Sequence, residues 1–227
     1  TNVKVFAKDL RVLSALTLQS LDVEVLENIT FEEAIDASGD VYLSTVDTDT
    51  QSPVSYDVVF EKAVDVEGDF IIETQDVDFN NTVGGGTTEG VFEIEAETID
   101  VQNHAVTGGD ITWDISVSGV EINASVNSGD FIVDSPVEID LNGTVFATGD
   151  FFLTTPVLDT INHRIDAHNT VWRISESDID LNARFNAIND GSIDIHAMRD
   201  NGPSDEADIF IRADITGASD ATSNNLG

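Results

Sequence analysis

Cysteine is absent from the 227 residues, which excludes a disulfide framework and thiol chemistry and leaves the redox compartment open. Cations are scarce: 9 Lys and Arg stand against 44 Asp and Glu, a formal net charge of −35. The lysines are Lys4, Lys8 and Lys62, and no Lys or Arg falls between Lys62 and Arg164. Such a field repels DNA phosphates and anionic lipid surfaces, so no nucleic-acid partner is expected. No apolar run approaches the roughly 20 residues that span a bilayer. The stretch from Thr1 has no secretory apolar region, and direct membrane insertion is not expected.

Hydrophobic residues make up 41% of the chain, enough for a packed core despite the charge. A folded chain of this size exposes roughly 10,000 Å², about one net charge per 290 Å², or a spacing near 17 Å. The Debye length is about 8 Å at physiological ionic strength and about 3 Å at 1 M. Repulsion at that spacing is only partly screened in the first case and nearly gone in the second. With so few cations, dissolved ions must neutralise the surface, which predicts a requirement for high monovalent salt.

The acids are not gathered in a tail or in ligand loops. Glu93, Glu95 and Glu97 alternate with apolar residues, as do Asp114, Glu121, Asp134, Glu138 and Asp140. That is a solvated strand face and a halophilic surface.

Period-two alternation dominates the chain. Ile111, Trp113, Ile115 and Val117 form one run; Val120, Ile122, Ala124 and Val126 form another. Phe131, Val133, Val137, Ile139 and Leu141 continue it, and Ala207 to Ile215 repeats it. Helix is scarce: Thr30 and Glu33 have capping-box spacing before a short candidate ending near Gly39, and Leu10 to Leu18 reads as strand. One buried and one wet face predicts an all-β fold of antiparallel sheet, a β-sandwich or jelly roll in one barrel or two stacked. A weak repeat gives the alternative. Gly-Asp opens segments at Gly39, Gly68, Gly109, Gly129 and Gly149, the last three at intervals of 20 residues, as rungs of a β-solenoid would. The interval fails before Gly109 and after Gly149, which favours the sandwich. The expected organisation is an all-β unit over 1–215, with a break near 84–90 between two modules, and a polar tail over 216–227. Asn201 to Asp205 reads as a solvated loop.

No catalytic residue and no cofactor is predicted. Gly84 to Gly86 lacks the Lys of a phosphate loop, and no Gly-x-Ser-x-Gly elbow occurs. Asp47 with Asp49, Asp76 with Asp78 and Asp178 with Asp180 are carboxylate pairs two residues apart, suited to a hard cation or to glycosidase chemistry. Pairs of this kind arise by chance in so acidic a chain. Asp47 and Asp49 sit in the most loop-like context and are candidates for a structural cation. Asp166 and His168 are candidates for one face of a metal site, set against a plain strand edge on which Arg164 offsets Asp166. Asn28, Asn80, Asn123 and Asn142 begin N-x-Ser/Thr sequons, potential glycan acceptors on a surface protein.

In size, strand content, lack of cysteine and halophilic charge, the chain resembles the major capsid proteins of haloarchaeal icosahedral viruses with an internal membrane. That resemblance implies an upright single jelly roll, with a second stacked barrel in the larger family member. It implies a virion location and assembly with copies of itself and a related structural protein in a shell. The alternative is a secreted or cell-surface β module, an adhesin or a carbohydrate-binding domain. A polysaccharide hydrolase ranks third.

Overall fold

The computed structural model describes residues 1–45, 56–86, 90–101, 104–158, 161–175, 179–182, 184–197, 209–211 and 215–216. Alternation of apolar and polar residues makes each rung from short strands, as in Asp110–Ile115, Val120–Ile122 and Val126–Ser128. Corners separate these strands, and the next rung stacks on all three. The first wall is a ten-stranded sheet running from Asn2–Ala7 to Ile193–Ala197. The third wall also has ten strands, from Leu16–Leu18 to Ile215–Thr216. The second wall is divided into sheets of five, three and two strands. The chain is thus a parallel β-solenoid of about nine turns.

This overturns the antiparallel sandwich and jelly roll, and with them the capsid resemblance that implied such a barrel. Every strand pair among the described residues is parallel. The physical reason lies in what alternation reports. In most parallel sheets helices cover both faces and the strands are apolar throughout. A solenoid wall has one face on the lumen and the other in water, so its strands alternate like those of an antiparallel sheet. Val91–Ala96 shows it: Phe92, Ile94 and Ala96 are buried, while Val91, Glu93 and Glu95 are exposed.

The alternative rung length is the one observed. Ile111 pairs with Phe131 and Phe131 with Phe151, 20 residues per turn. The interval rises to 29 between Val41 and Phe70 and to 23 between Thr170 and Ile193. Extra residues enter at corners and leave the wall register intact, which is why the repeat looked broken along the chain. The first-wall ladder continues across 84–90, with Phe70 on Phe92, and Val83–Gly85 is itself a third-wall strand. Thr30 to Gly39 is not helical: it holds the strands Ile29–Phe31 and Ile35–Ala37. The Asn201 to Asp205 loop and residues 217–227 lie outside the described residues.

The Gly-Asp repeat is the corner between the third and first walls. The backbone N–H of Asp130 donates to Asp110 Oδ1 at 2.9 Å, and that of Asp150 to Asp130 Oδ1 at 2.7 Å. Asp69 N–H donates to Asp40 Oδ1 at 3.1 Å, and Val91 N–H to Asp69 Oδ1 at 3.1 Å. Each carboxylate satisfies a corner donor that no wall ladder reaches. A Cβ at Gly129 or Gly149 would sit on the Asp110 or Asp130 carboxylate of the rung below.

The lumen is filled by stacked rings. Phe31, Phe60 and Phe79 stack at centroid distances of 5.2 and 4.9 Å. A second file runs through Phe70, Phe92, Trp113, Phe131, Phe151, Trp172 and Phe185 at 5.0 to 6.1 Å. Both tryptophans meet their neighbours edge to face, the favoured geometry for ring quadrupoles.

Candidate functional site

Stacking places every outward residue directly above its counterpart about 4.8 Å away, so the sequence is rewritten as columns along the axis. On the first wall one column reads Glu73, Glu95, Asp114, Asp134 over consecutive rungs. Burial first, and Asp114 second, push the Asp134 carboxyl above its ordinary value. Tyr42 donates its hydroxyl to Glu73 Oε2 at 2.6 Å, and that bond, more than the partial burial of the ring, raises the phenol.

Beside this column, at the corner toward the second wall, is an open groove of about 650 Å³ lined by Tyr56, Glu73, Gln75, Glu95, Glu97 and Asp114. Its floor is ordered by Thr74, whose hydroxyl donates to the Tyr56 carbonyl at 2.6 Å, and by Gln75 Oε1, which accepts from the Tyr56 N–H at 3.0 Å.

A second groove of about 390 Å³ opens in the second wall. There the strand Thr98–Asp100 ends one sheet and Val120–Ile122 begins the next. The corner lengthens from Glu97 alone to the four residues Ser116 to Gly119, which carries the new strand out of the ladder. Ser135 Oγ, donor to the Ser118 carbonyl at 2.9 Å, fastens the longer corner. Asp100, Glu121, Glu138 and Asp140 line this groove. Asp78, on the neighbouring strand Asp76–Phe79, has its carboxyl raised by burial and then by Asp100, Asp57, Asp76 and Glu61.

Asp166 and His168 have separate partners. Asp166, 6% exposed, lies mid-strand in the third wall and pairs with Arg164 Nε at 2.8 Å, on one face as the alternation requires. His168 sits at the following corner, with Nδ1 3.5 Å from Asp150 Oδ1. Asp47, Asp49 and Asp178 lie outside the described residues. Among the described residues no group of three or more His, Asp or Glu is arranged to hold a metal ion.

The sequons also take structural places. Asn142 Nδ2 donates to Asn123 Oδ1 at 3.0 Å and to Asp140 Oδ2 at 2.9 Å, an amide ladder at the corner after the second wall. Asn28 Oδ1 accepts from the Asp57 N–H at 3.0 Å.

A further feature was not read from the sequence. Between the carboxylate columns of the first wall, the middle outward column is Tyr42, Ile71, Glu93, Thr112, Ile132, Phe152 and Val171. Its sequence signal is the failure of alternation in Phe70-Ile71-Ile72, Phe131-Ile132-Val133 and Phe151-Phe152-Leu153.

Fold and faces define a class, the parallel β-solenoid with ordered outward columns. Compared with family models, curated proteins and solved structures, the chain matches none.

Proposed function

We propose that this chain is a secreted or cell-surface solenoid module of a high-salt environment, an adhesive or carbohydrate-binding protein without catalytic activity. The observation that carries this reading is the column register of the first wall. It repeats a carboxylate on four consecutive rungs, Glu73 to Asp134, a surface suited to an extended partner and not to a small enclosed ligand. The open, polar grooves support the same reading, since they offer hydrogen-bonding carboxylates and amides along an edge. The 44 acids against 9 Lys and Arg support the high-salt setting, where the surface charge is screened.

Fractionation of the native source tests the location: recovery in the envelope or culture fluid is expected, and recovery in the cytosol overturns it. Glycan-array binding in multimolar KCl tests the carbohydrate branch. Release of reducing ends from a bound polysaccharide would overturn the non-catalytic reading.

A further inference from the structure

The middle column of the first wall is an anomaly in this chain. Glu73, Glu95, Asp114 and Asp134 face outward on that wall, yet Ile71, Ile132, Phe152 and Val171 also face outward and are half-buried. Tyr42 and Thr112 extend the same line. The result is an apolar rail about 29 Å long, six inter-strand steps from Tyr42 to Val171.

Acids flank most of the rail's length, each about two residues, or 6.6 to 6.8 Å, along the strand from it. One flank is Glu73, Glu95, Asp114 and Asp134 beside Ile71 to Ile132, and it passes to Thr154 and Arg173 beside Phe152 and Val171. The other is the corner file of Asp69, Val91, Asp110, Asp130 and Asp150, in which Asp69, Asp110 and Asp130 accept backbone N–H bonds and Asp150 accepts from Asn169 Nδ2. Apolar rail and paired acidic flanks call for a complement with an apolar stripe and cations on either side of it.

We propose that the first wall is the docking face for a basic amphipathic α-helix of a partner protein. A helix with apolar residues at i, i+3, i+4 and i+7 presents a stripe of the right width, and Lys or Arg beside the stripe reach the two acidic files. At 1.5 Å per residue, a helix of about 19 residues covers the rail. Glu93 breaks the apolar line at its third position and sets the register, because it requires one cation within the stripe. A second copy of this chain is a poor occupant, since it would bring acidic files against acidic files. The proposal rests on the first wall being a binding face and is indifferent to where the module resides, so fractionation and the following experiment fail independently.

The test uses the full chain and a fluorescent peptide of about 19 residues, with a leucine stripe flanked by lysines, titrated at low and high KCl. A scrambled peptide of the same composition controls for diffuse attraction. Replacing both Ile132→Ser and Phe152→Ser is expected to weaken binding about tenfold or more, with Phe146→Ser on the third wall changing it less than about twofold. Equal binding of the scrambled peptide, undiminished binding by the double variant, or no binding at either salt overturns the proposal. Should the double variant unfold, zero-length crosslinking of the peptide lysines to the unmodified chain decides. Links to Glu95, Asp114 and Asp134 support the docking face, and links concentrated on Asp78 and Asp100 of the second wall overturn it. Displacement of the peptide by a neutral glycan that protects the same carboxylates would reassign the rail to carbohydrate and also overturn it.

Discussion

A single aspartate in this chain has either of two roles, and its column decides which. Asp130 at the corner accepts the Asp150 N–H and donates its own N–H to Asp110, so its oxygen is a structural acceptor. Asp134, four residues on, stands in the outward file, where partial burial and then the charge of Asp114 raise its carboxyl. The two are indistinguishable by residue type. Asp130→Ala is expected to cost about 1 to 3 kcal/mol by leaving a corner N–H without its acceptor, whereas Asp130→Asn keeps an acceptor and sheds charge at little cost. Urea unfolding of the two variants checks the ordering. The Gly-Asp pair was visible in the sequence, and its 20-residue interval was too. Its meaning was hidden, because the pair is defined by a contact to the rung below and not by a local turn.

At the scale of the strand, most inward and outward assignments came from the alternation, but Val117 and Val137, counted in those runs, lie exposed at corners. Ile111, Trp113 and Ile115 are buried, as are Val120 and Ile122, Phe131 and Val133, and Ile139 and Leu141. Strand direction was not legible, since alternation records which face is wet and not how consecutive strands run. The rail escaped notice for a related reason: Ile132 and Phe152 look like extra core residues until the register stacks them outside. Placement predicts their energetics. Phe92, fully buried between Phe70 and Trp113, should cost about 3 to 5 kcal/mol on replacement by Ala, through lost transfer energy and the cavity left in the ring file. Phe146, 39% exposed on the third wall, should change stability by less than about 0.5 kcal/mol on replacement by Ser. Thermal denaturation of both variants in the same salt tests the contrast.

For the whole molecule the net charge is −35, and among the described residues acids such as Glu73, Glu95, Asp114 and Asp134 stand in a file with an inter-strand spacing near 4.8 Å, far closer than an even spread would give. Repulsion along a file is only partly screened at 0.15 M and much more so at 1 M. Stability is therefore expected to rise with KCl. At low salt it should also rise as pH falls toward the acid side. Asp78 and Asp134 have folded carboxyls raised above the ordinary 3.8, so the native state holds their protons more tightly than the unfolded chain. Their contribution is fully present below that value and is lost as pH rises through the raised folded values. Asp78→Asn should accordingly raise the melting temperature at pH 7 and flatten the acid-side increase. A grid of thermal scans over KCl and pH measures all three effects, and stability indifferent to KCl would remove the high-salt reading.

The sequence by itself determined that the chain is all-β, that its core residues recur every second position, and that its outward positions are predominantly acidic. Those properties follow from local chemistry, because burial of one strand face needs only alternation. Only the tertiary structure decided that the strands are parallel and coil into three walls. It also decided that Gly-Asp pairs are corners and that Asp166 and His168 serve different partners. It set an apolar rail between two acidic files. Each of these depends on which residue lies one rung away, a contact about 20 residues distant in sequence and about 4.8 Å distant in space.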